Sequence, residues 1–312
     1  MNAAAPVKLR LSRYRTVEGF VTPMTDRTFP SRRKRLSGPA PVLLTVCMLL
    51  LSGCDTLTTI FGSPEEEAQA AKERSAEEIY NGALDYLEAG WNETAAKEFD
   101  EVERQHPYSR WATKAQLMSA YAFYLEEKFD EAIIALDRFI ELNPGHSDIA
   151  YAYYLKALSY YEQISDVGRD QKMTTLALAS VQDVIKRFPN TAYARDARLK
   201  LDLTRDHLAG KDMSIGRYYQ RNGDNLAAIN RYRAVIENYQ TTTHVPEALH
   251  RLTEAYLALG ITDEAQMSAA VLGHNFPGST WYEDSYAMLE RRNLRPQRKE
   301  GSWLSWLWDW TS

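Results

Sequence analysis

Ala95, Ala132, Ala177, Ala228 and Ala265 each stand twelve positions ahead of Pro107, Pro144, Pro189, Gln240 and Pro277. This fixed interval leaves the chain few folds to choose from. Four residues after each alanine comes Phe99, Leu136, Val181, Tyr232 or Ala269, and seven after it comes Val102, Phe139, Val184, Val235 or Leu272. Upstream, a small residue and an aromatic three later recur as Ala83/Tyr86, Ala120/Phe123, Ala157/Tyr160, Gly216/Tyr219 and Thr253/Tyr256. Offsets of three, four and seven put side chains on one face of a helix. Two small-residue columns twelve apart therefore describe two antiparallel helices whose axes approach to about 8–10 Å where they cross. The proline ends the second helix because it can neither donate to nor fit inside the hydrogen-bond ladder.

These columns match the tetratricopeptide consensus, a helix–turn–helix unit of about 34 residues. The alanine spacings here are 37, 45, 51 and 37, so the version is irregular. The third unit carries an eight-residue polar insertion around Ser165–Lys172 between its helices. The fourth has a long lead-in, Tyr193–Ala209, with Ala194, Ala197, Leu201 and Leu208 on one helical face. No segment alternates with the period of a strand. The expectation is an all-α, tetratricopeptide-like repeat solenoid of about five units over residues 76–290, folding as one elongated domain because no unit can bury its apolar face alone.

The N-terminal segment reads as an address. Arg32-Arg33-Lys34-Arg35 precedes the apolar run Val42–Leu51, too short for the about 20 residues that span a bilayer and of the length of a secretory signal. The run ends in Leu51-Ser52-Gly53-Cys54, which resembles the lipobox of bacterial lipoproteins. There the cysteine is acylated and the chain is cut just before it, with small residues admitting the peptidase. Residues 1–53 are then signal, of which 1–23 precede Met24 and form an over-extended start, and 54–75 are a lipidated tether. No cofactor is expected beyond the diacylglycerol and N-acyl lipid on Cys54, and multiple acyl chains suffice for stable anchoring. Localisation at the periplasmic face of the outer membrane follows; Asp55, next to the lipid, is a residue that favours inner-membrane retention in some bacteria.

Charge and cysteine use narrow the function. Residues 1–53 hold nine Lys/Arg and two acids, leaving 28 basic against 40 acidic residues beyond. An acidic body argues against a nucleic-acid partner, which demands a basic surface. Past Cys54 there is no thiol, hence no disulfide, zinc–thiolate site or cysteine nucleophile there. The six histidines lack metal-ligand pairing, and neither a Gly-rich phosphate loop nor a nucleophile elbow appears. His106 and His146 fall at unit junctions as capping or packing residues, and Glu65–Glu67 and Glu126-Glu127 read as solvated. Neither catalytic nor metal-binding residues are assigned, and the chain is not expected to be an enzyme.

Several stretches are similar to one family. They are Tyr86-Leu87-Glu88-Ala89-Gly90-Trp91, His106-Pro107-Tyr108-Ser109, Ala115–Ala122, Leu136-Asp137-Arg138-Phe139-Ile140, Asn143-Pro144-Gly145-His146, Tyr151–Tyr161 and Arg217-Tyr218-Tyr219. With the lipobox and the irregular repeat, they resemble BamD (ComL), the lipoprotein family of the outer-membrane β-barrel assembly machine, over about residues 75–275. The resemblance implies a non-enzymatic scaffold whose C-terminal half binds a BamA-like barrel protein, alongside other lipoproteins of the machine. Its N-terminal units would receive unfolded outer-membrane proteins. A tyrosine-rich groove can hold an extended, aromatic-ended peptide with little loss of side-chain entropy, which singles out Tyr80, Tyr121, Tyr124, Tyr151 and Tyr154. Arg195, Arg198 and Arg205 on the lead-in are the candidate partner contacts. An envelope scaffold coordinating peptidoglycan or division machinery is the alternative.

Residues 291–312 form a basic stretch and then a Trp-rich tail. Trp303, Trp306, Trp308 and Trp310 among leucines suit a membrane interface or a partner surface. Docking into the scaffold's own groove is the competing reading.

Overall fold

The computed structural model describes residues 74–308, which are helical throughout apart from turns and the connection to the tail. The helices run α1 (Ala76–Glu88), α2 (Asn92–Gln105), α3 (Arg110–Leu125), α4 (Phe129–Leu142), α5 (Ile149–Tyr161), α6 (Lys172–Arg187), α7 (Ala192–Arg221), α8 (Asn225–Asn238), α9 (Val245–Ala258), α10 (Thr262–Asn275), α11 (Thr280–Glu290) and the short α12 (Ser305–Trp308). Units one, two, three and five are the pairs α1/α2, α3/α4, α5/α6 and α9/α10. Unit four pairs the C-terminal half of α7 with α8.

The alanine column is the core. Ala95, Ala132, Ala177, Ala228 and Ala265 are fully buried, as are Phe99, Leu136, Tyr232 and Ala269 four residues on and Val102, Phe139, Val184, Val235 and Leu272 seven residues on. At Gly216 the close approach is extreme. A Cβ there would collide with the ring of Tyr232 across the α7/α8 crossing, so the large aromatic and the missing side chain are one solution to a single gap.

The turn inside a unit repeats atom for atom. The amide of Trp91 donates to the carbonyl of Tyr86 at 2.9 Å, Lys128 to Phe123 at 3.0 Å, Asp224 to Tyr219 at 2.9 Å and Ile261 to Tyr256 at 2.9 Å. This six-to-one bond requires the residue before the donor to be left-handed, and Gly90, Gly223 and Gly260 have φ of 80°, 85° and 75°. Glu127 occupies the same place in unit two at φ 59°, so it is a turn residue as well as a solvated one. Between units the second helix ends two residues before its proline, with His106, Asn143, Phe188 and Phe276 donating back to Val102, Phe139, Val184 and Leu272. Ser109, Thr191 and Ser279 then cap the next helix with their hydroxyls. His106 and His146 pack at these junctions as expected, His106 against the Arg74 carbonyl at 2.7 Å and His146 edge-on to Phe139.

The insertion of unit three is an irregular connection between α5 and α6. The lead-in of unit four does not stop before the unit begins: it runs into that unit's first helix as the single 30-residue α7. Ala194 and Ala197 are buried on its first half and Leu208, Ala209 and Met213 on its second. Gly210 does not break it, because there the helix passes His244 and Val167 closely. α11 closes the stack against α9 and α10. Among the described residues no helix is long and apolar enough to cross a membrane.

Candidate peptide-binding face

The first helices of the repeats lie side by side, α1 beside α3, α3 beside α5, and α5 beside the first half of α7. Tyrosines placed one turn apart on them meet across these seams. Tyr121 and Tyr124 leave α3, and Tyr151 and Tyr154 leave α5 toward Tyr193 at the start of α7. The Tyr151 and Tyr154 rings stand 5.7 and 5.2 Å from the Tyr193 ring, and Tyr124 meets Phe129 edge-on at 5.7 Å. Such offset aromatic contacts hold rings in place while leaving their edges available. The Tyr154 hydroxyl donates to Asp196 at 2.5 Å, and Asp196 also pairs with Lys200 at 3.3 Å.

All four of these tyrosines are half-buried, and the hydroxyls of Tyr124, Tyr151 and Tyr154 resist ionisation. Burial pushes Tyr124 up to about 12, with the Glu162 carboxylate and Tyr121 adding to the effect. Burial raises Tyr151 and Tyr154 as well, and the Asp196 carboxylate that accepts from Tyr154 adds to the rise there. Tyr124, Tyr151 and Tyr154 are therefore neutral donors at any physiological pH, suited to peptide carbonyls rather than to proton transfer.

Of the five tyrosines singled out in the sequence, the structure brings these four together and leaves Tyr80 apart. Tyr80 packs against Phe99 and Trp111 at 5.4 and 4.9 Å in the core joining units one and two, where it fills space between helices. Tyr193 and Asp196 belong to the cluster and escaped the sequence reading. Their signal was their spacing from the buried Ala194 and Ala197, which turns both toward α5.

Arg195 and Arg198 are exposed on α7, while Arg205 is half-buried. Arg198 donates to the Pro189 carbonyl at 3.2 Å, and none of the three forms an ion pair among the described residues. Leu199 and Leu203 are 66% and 59% exposed beside them, so among the described residues this side of α7 is an uncovered, mixed cationic and apolar stripe.

The tail departs from the interface expected of it. Trp303 donates its indole N–H to the Tyr256 hydroxyl at 3.1 Å and lies under the Arg233 guanidinium at 4.2 Å. Trp308 stacks on His274 at 4.2 Å, nearly parallel. Leu304 and Leu307 are fully buried, and Asn275 holds the Leu307 carbonyl at 3.1 Å. The competing reading, docking on the scaffold itself, is therefore what these residues do. The physical reason is supply: α8, α9 and α10 offer an apolar groove with a phenol and a guanidinium in register. Trp306 alone of the described tail tryptophans points outward, 42% exposed. Trp310 and Cys54 lie outside the described residues, as do the signal and most of the tether. Among the described residues no group of three or more His, Cys, Asp or Glu could hold a metal ion.

The chain is similar to known proteins over its repeat region. Residues 72–291 match a family model described as an outer membrane lipoprotein, YfiO. The chain is 53% identical over 236 residues to the outer membrane protein assembly factor BamD of Caulobacter vibrioides, covering 75% of this chain and 77% of that one. To the protein of the same name in Rickettsia prowazekii it is 50% identical over 212 residues, covering 68% and 84%. Among solved structures it is similar to the MamA protein at 18% identity, over 70% of this chain and 94% of that one, with a TM-score of 0.33.

Proposed function

We infer the function from one premise: this chain belongs to the BamD family of outer-membrane protein assembly factors. On that premise it is a non-enzymatic scaffold, held at the outer membrane by lipid on Cys54, that receives unfolded outer-membrane proteins and binds a BamA-like barrel protein beside other lipoproteins of the machine. The observation that carries the reading is the tyrosine cluster on the first helices. Tyr121, Tyr124, Tyr151 and Tyr154, with Tyr193, make a face of pre-positioned rings and hydroxyls. An extended aromatic-ended segment would stack on the ring edges and give its carbonyls to the hydroxyls, and the rings would lose little entropy on binding.

The barrel partner is assigned to α7. Its exposed Leu199 and Leu203 beside Arg195 and Arg198 combine apolar area with cations that choose an acidic counterpart, the pairing that gives an interface both affinity and orientation. The assembly reading is tested by a gentle-detergent pull-down of the tagged chain from envelope membranes. A large barrel protein with periplasmic domains in near-stoichiometric amount supports it. Recovery of cell-wall enzymes without a barrel protein contradicts it and favours a scaffold of the peptidoglycan machinery.

A further inference from the structure

Units one and two superpose in sequence on units four and five with a constant offset. Asn225 of α8 stands 133 residues after Asn92 of α2, and Thr262 of α10 stands 133 after Phe129 of α4; the ends Asn238 and Asn275 follow Gln105 and Leu142 by the same interval. In the later pair, the groove between the second helices is filled by the tail. Trp303 sits between Tyr256 and Arg233, Ser302 donates to Glu264 at 2.7 Å, the Lys299 amide donates to the Met267 sulfur at 3.2 Å, and the Lys299 ammonium pairs with Asp263 at 2.9 Å.

Each of these groove residues has its counterpart in the earlier pair: Phe123 for Tyr256, Ile134 for Met267, Asp130 and Glu131 for Asp263 and Glu264, and Asp100 for Arg233. Nothing in the described chain covers them. Between α2 and α4, Asp100, Phe123, Glu131 and Ile134, together with Glu103, Arg104 and Arg138, bound an open cavity of about 650 Å³. Ile134 is 70% exposed where Met267 is fully buried, and that contrast measures what an occupant would cover.

We infer that the groove between α2 and α4 is a second docking site, for an extended segment of a partner polypeptide in which cations flank a single aromatic side chain. The aromatic ring would lie on Phe123 as Trp303 lies on Tyr256, and the main chain before it would cross Ile134 as the Lys299 amide crosses Met267. A cation before it would meet Asp130 and Glu131, as Lys299 and Ser302 meet Asp263 and Glu264. The one reversal is informative. Where Arg233 offers a cation to the indole face, Asp100 offers an acid; Arg104 and Arg138, which also line the groove, are paired with Glu101 and Glu103, so a second basic group beside the ring is the better match. That reversal disfavours the chain's own tail as the native occupant and favours a more basic one, by charge complementarity. The site is separate from the tyrosine face and does not rest on it.

The probe is a fluorescent peptide of residues 291–308, basic and then aromatic, titrated by anisotropy into the full chain. Saturable binding is expected, weakened tenfold or more by Ile134→Asp and by Glu131→Lys and left unchanged by Arg233→Ala. Because Ile134 and Glu131 are exposed, thermal melts of these variants should match the parent, which separates lost docking from lost folding. A peptide with two further lysines after the aromatic should bind more tightly, and Asp100→Asn should remove that gain. Three outcomes overturn the inference. One is the absence of saturable binding. A second is binding that follows Arg233 rather than Ile134, which is exchange with the resident tail. The third is concentration-dependent self-association abolished by Ile134→Asp, which makes a second copy the occupant.

Discussion

The indole N–H of Trp303 reaches the hydroxyl of Tyr256, 47 residues earlier, at 3.1 Å. Tyr256 is the aromatic of its repeat, the position that Tyr86, Phe123 and Tyr219 fill in other units. The tail therefore reads the repeat itself, using the last inter-unit groove as its seat and closing the stack with Leu304 and Leu307. A solenoid exposes an apolar flank at each end, and this chain covers one of them with its own C-terminus.

Trp303→Ala should release that cover. The loss combines a largely buried indole, a hydrogen bond and a guanidinium contact, about 2–3 kcal/mol together. Because units contact only their neighbours, the effect should stay local. Hydrogen exchange should accelerate in α9 to α11 and stay unchanged in α1 to α4. Trp306→Ala, at the exposed position, should cost under about 0.5 kcal/mol. Equal effects at the two positions would show that the tail is not seated as described.

Glu127→Gly should stabilise the protein. Glu127 is held at φ 59° in a turn where three sister units use glycine, and the left-handed conformation costs an ordinary residue about 1 kcal/mol. Denaturant melts should shift upward by roughly that amount. Gly90→Glu, the reverse change in unit one, should shift them downward.

His250 makes stability depend on pH. It is buried between α9 and α11 with Ser285 at 2.8 Å and Trp281 against its ring, and burial lowers its pKa from the usual 6.5. Glu254 at 3.7 Å, Asp284 and Glu247 oppose that shift, while Arg251 adds to it. The folded state binds the proton less readily than the unfolded chain, so stability is fully present above about pH 6.5 and falls as pH drops through the interval below it. His250→Gln, which cannot titrate, should flatten that slope in melts between pH 7.5 and 5. A slope unchanged by the substitution would place the titrating group elsewhere.

Cys54→Ala should leave the fold intact and abolish anchoring. Without the acyl chains nothing in the described helices spans a bilayer, and several chains are what make attachment stable. Fractionation of the envelope should move the variant from membrane to soluble or precursor fractions. Retention in the outer membrane would mean that a partner, not lipid, holds it there.

Much of this was legible in the sequence because the crossing of two helices imposes residue size. Ala95 and its sisters must be small whatever packs around them, and Pro107, Pro144, Pro189 and Pro277 must end helices. The fused α7 was less legible. The sequence marks the lead-in as ending at Ala209 and Gly216 as the small residue of the next helix, but not that the two are continuous; Gly210 and Gly216 both sit at close approaches, to His244 and to Tyr232. The tail was ambiguous for a deeper reason. Trp and Leu beside basic residues suit a headgroup region and an apolar groove equally well, and the deciding groups, Arg233 and Tyr256, are distant in sequence. Tyr80 illustrates the same limit at the site: residue type marked it as a groove tyrosine, but its partly buried ring packs on Phe99 and Trp111, apart from the cluster.

The most direct test of the central claim is site-specific photo-crosslinking in envelope membranes, with the photoreactive residue placed in turn at Tyr124, Tyr151 and Tyr154 and, for comparison, at Tyr80. The account predicts adducts with newly synthesised outer-membrane proteins at the first three positions, and none at Tyr80, which packs on Phe99 and Trp111 away from the cluster. Absence of such adducts at all three positions, in a preparation where a residue at Leu199 or Leu203 does capture a barrel partner, would contradict the tyrosine face as the receiving site.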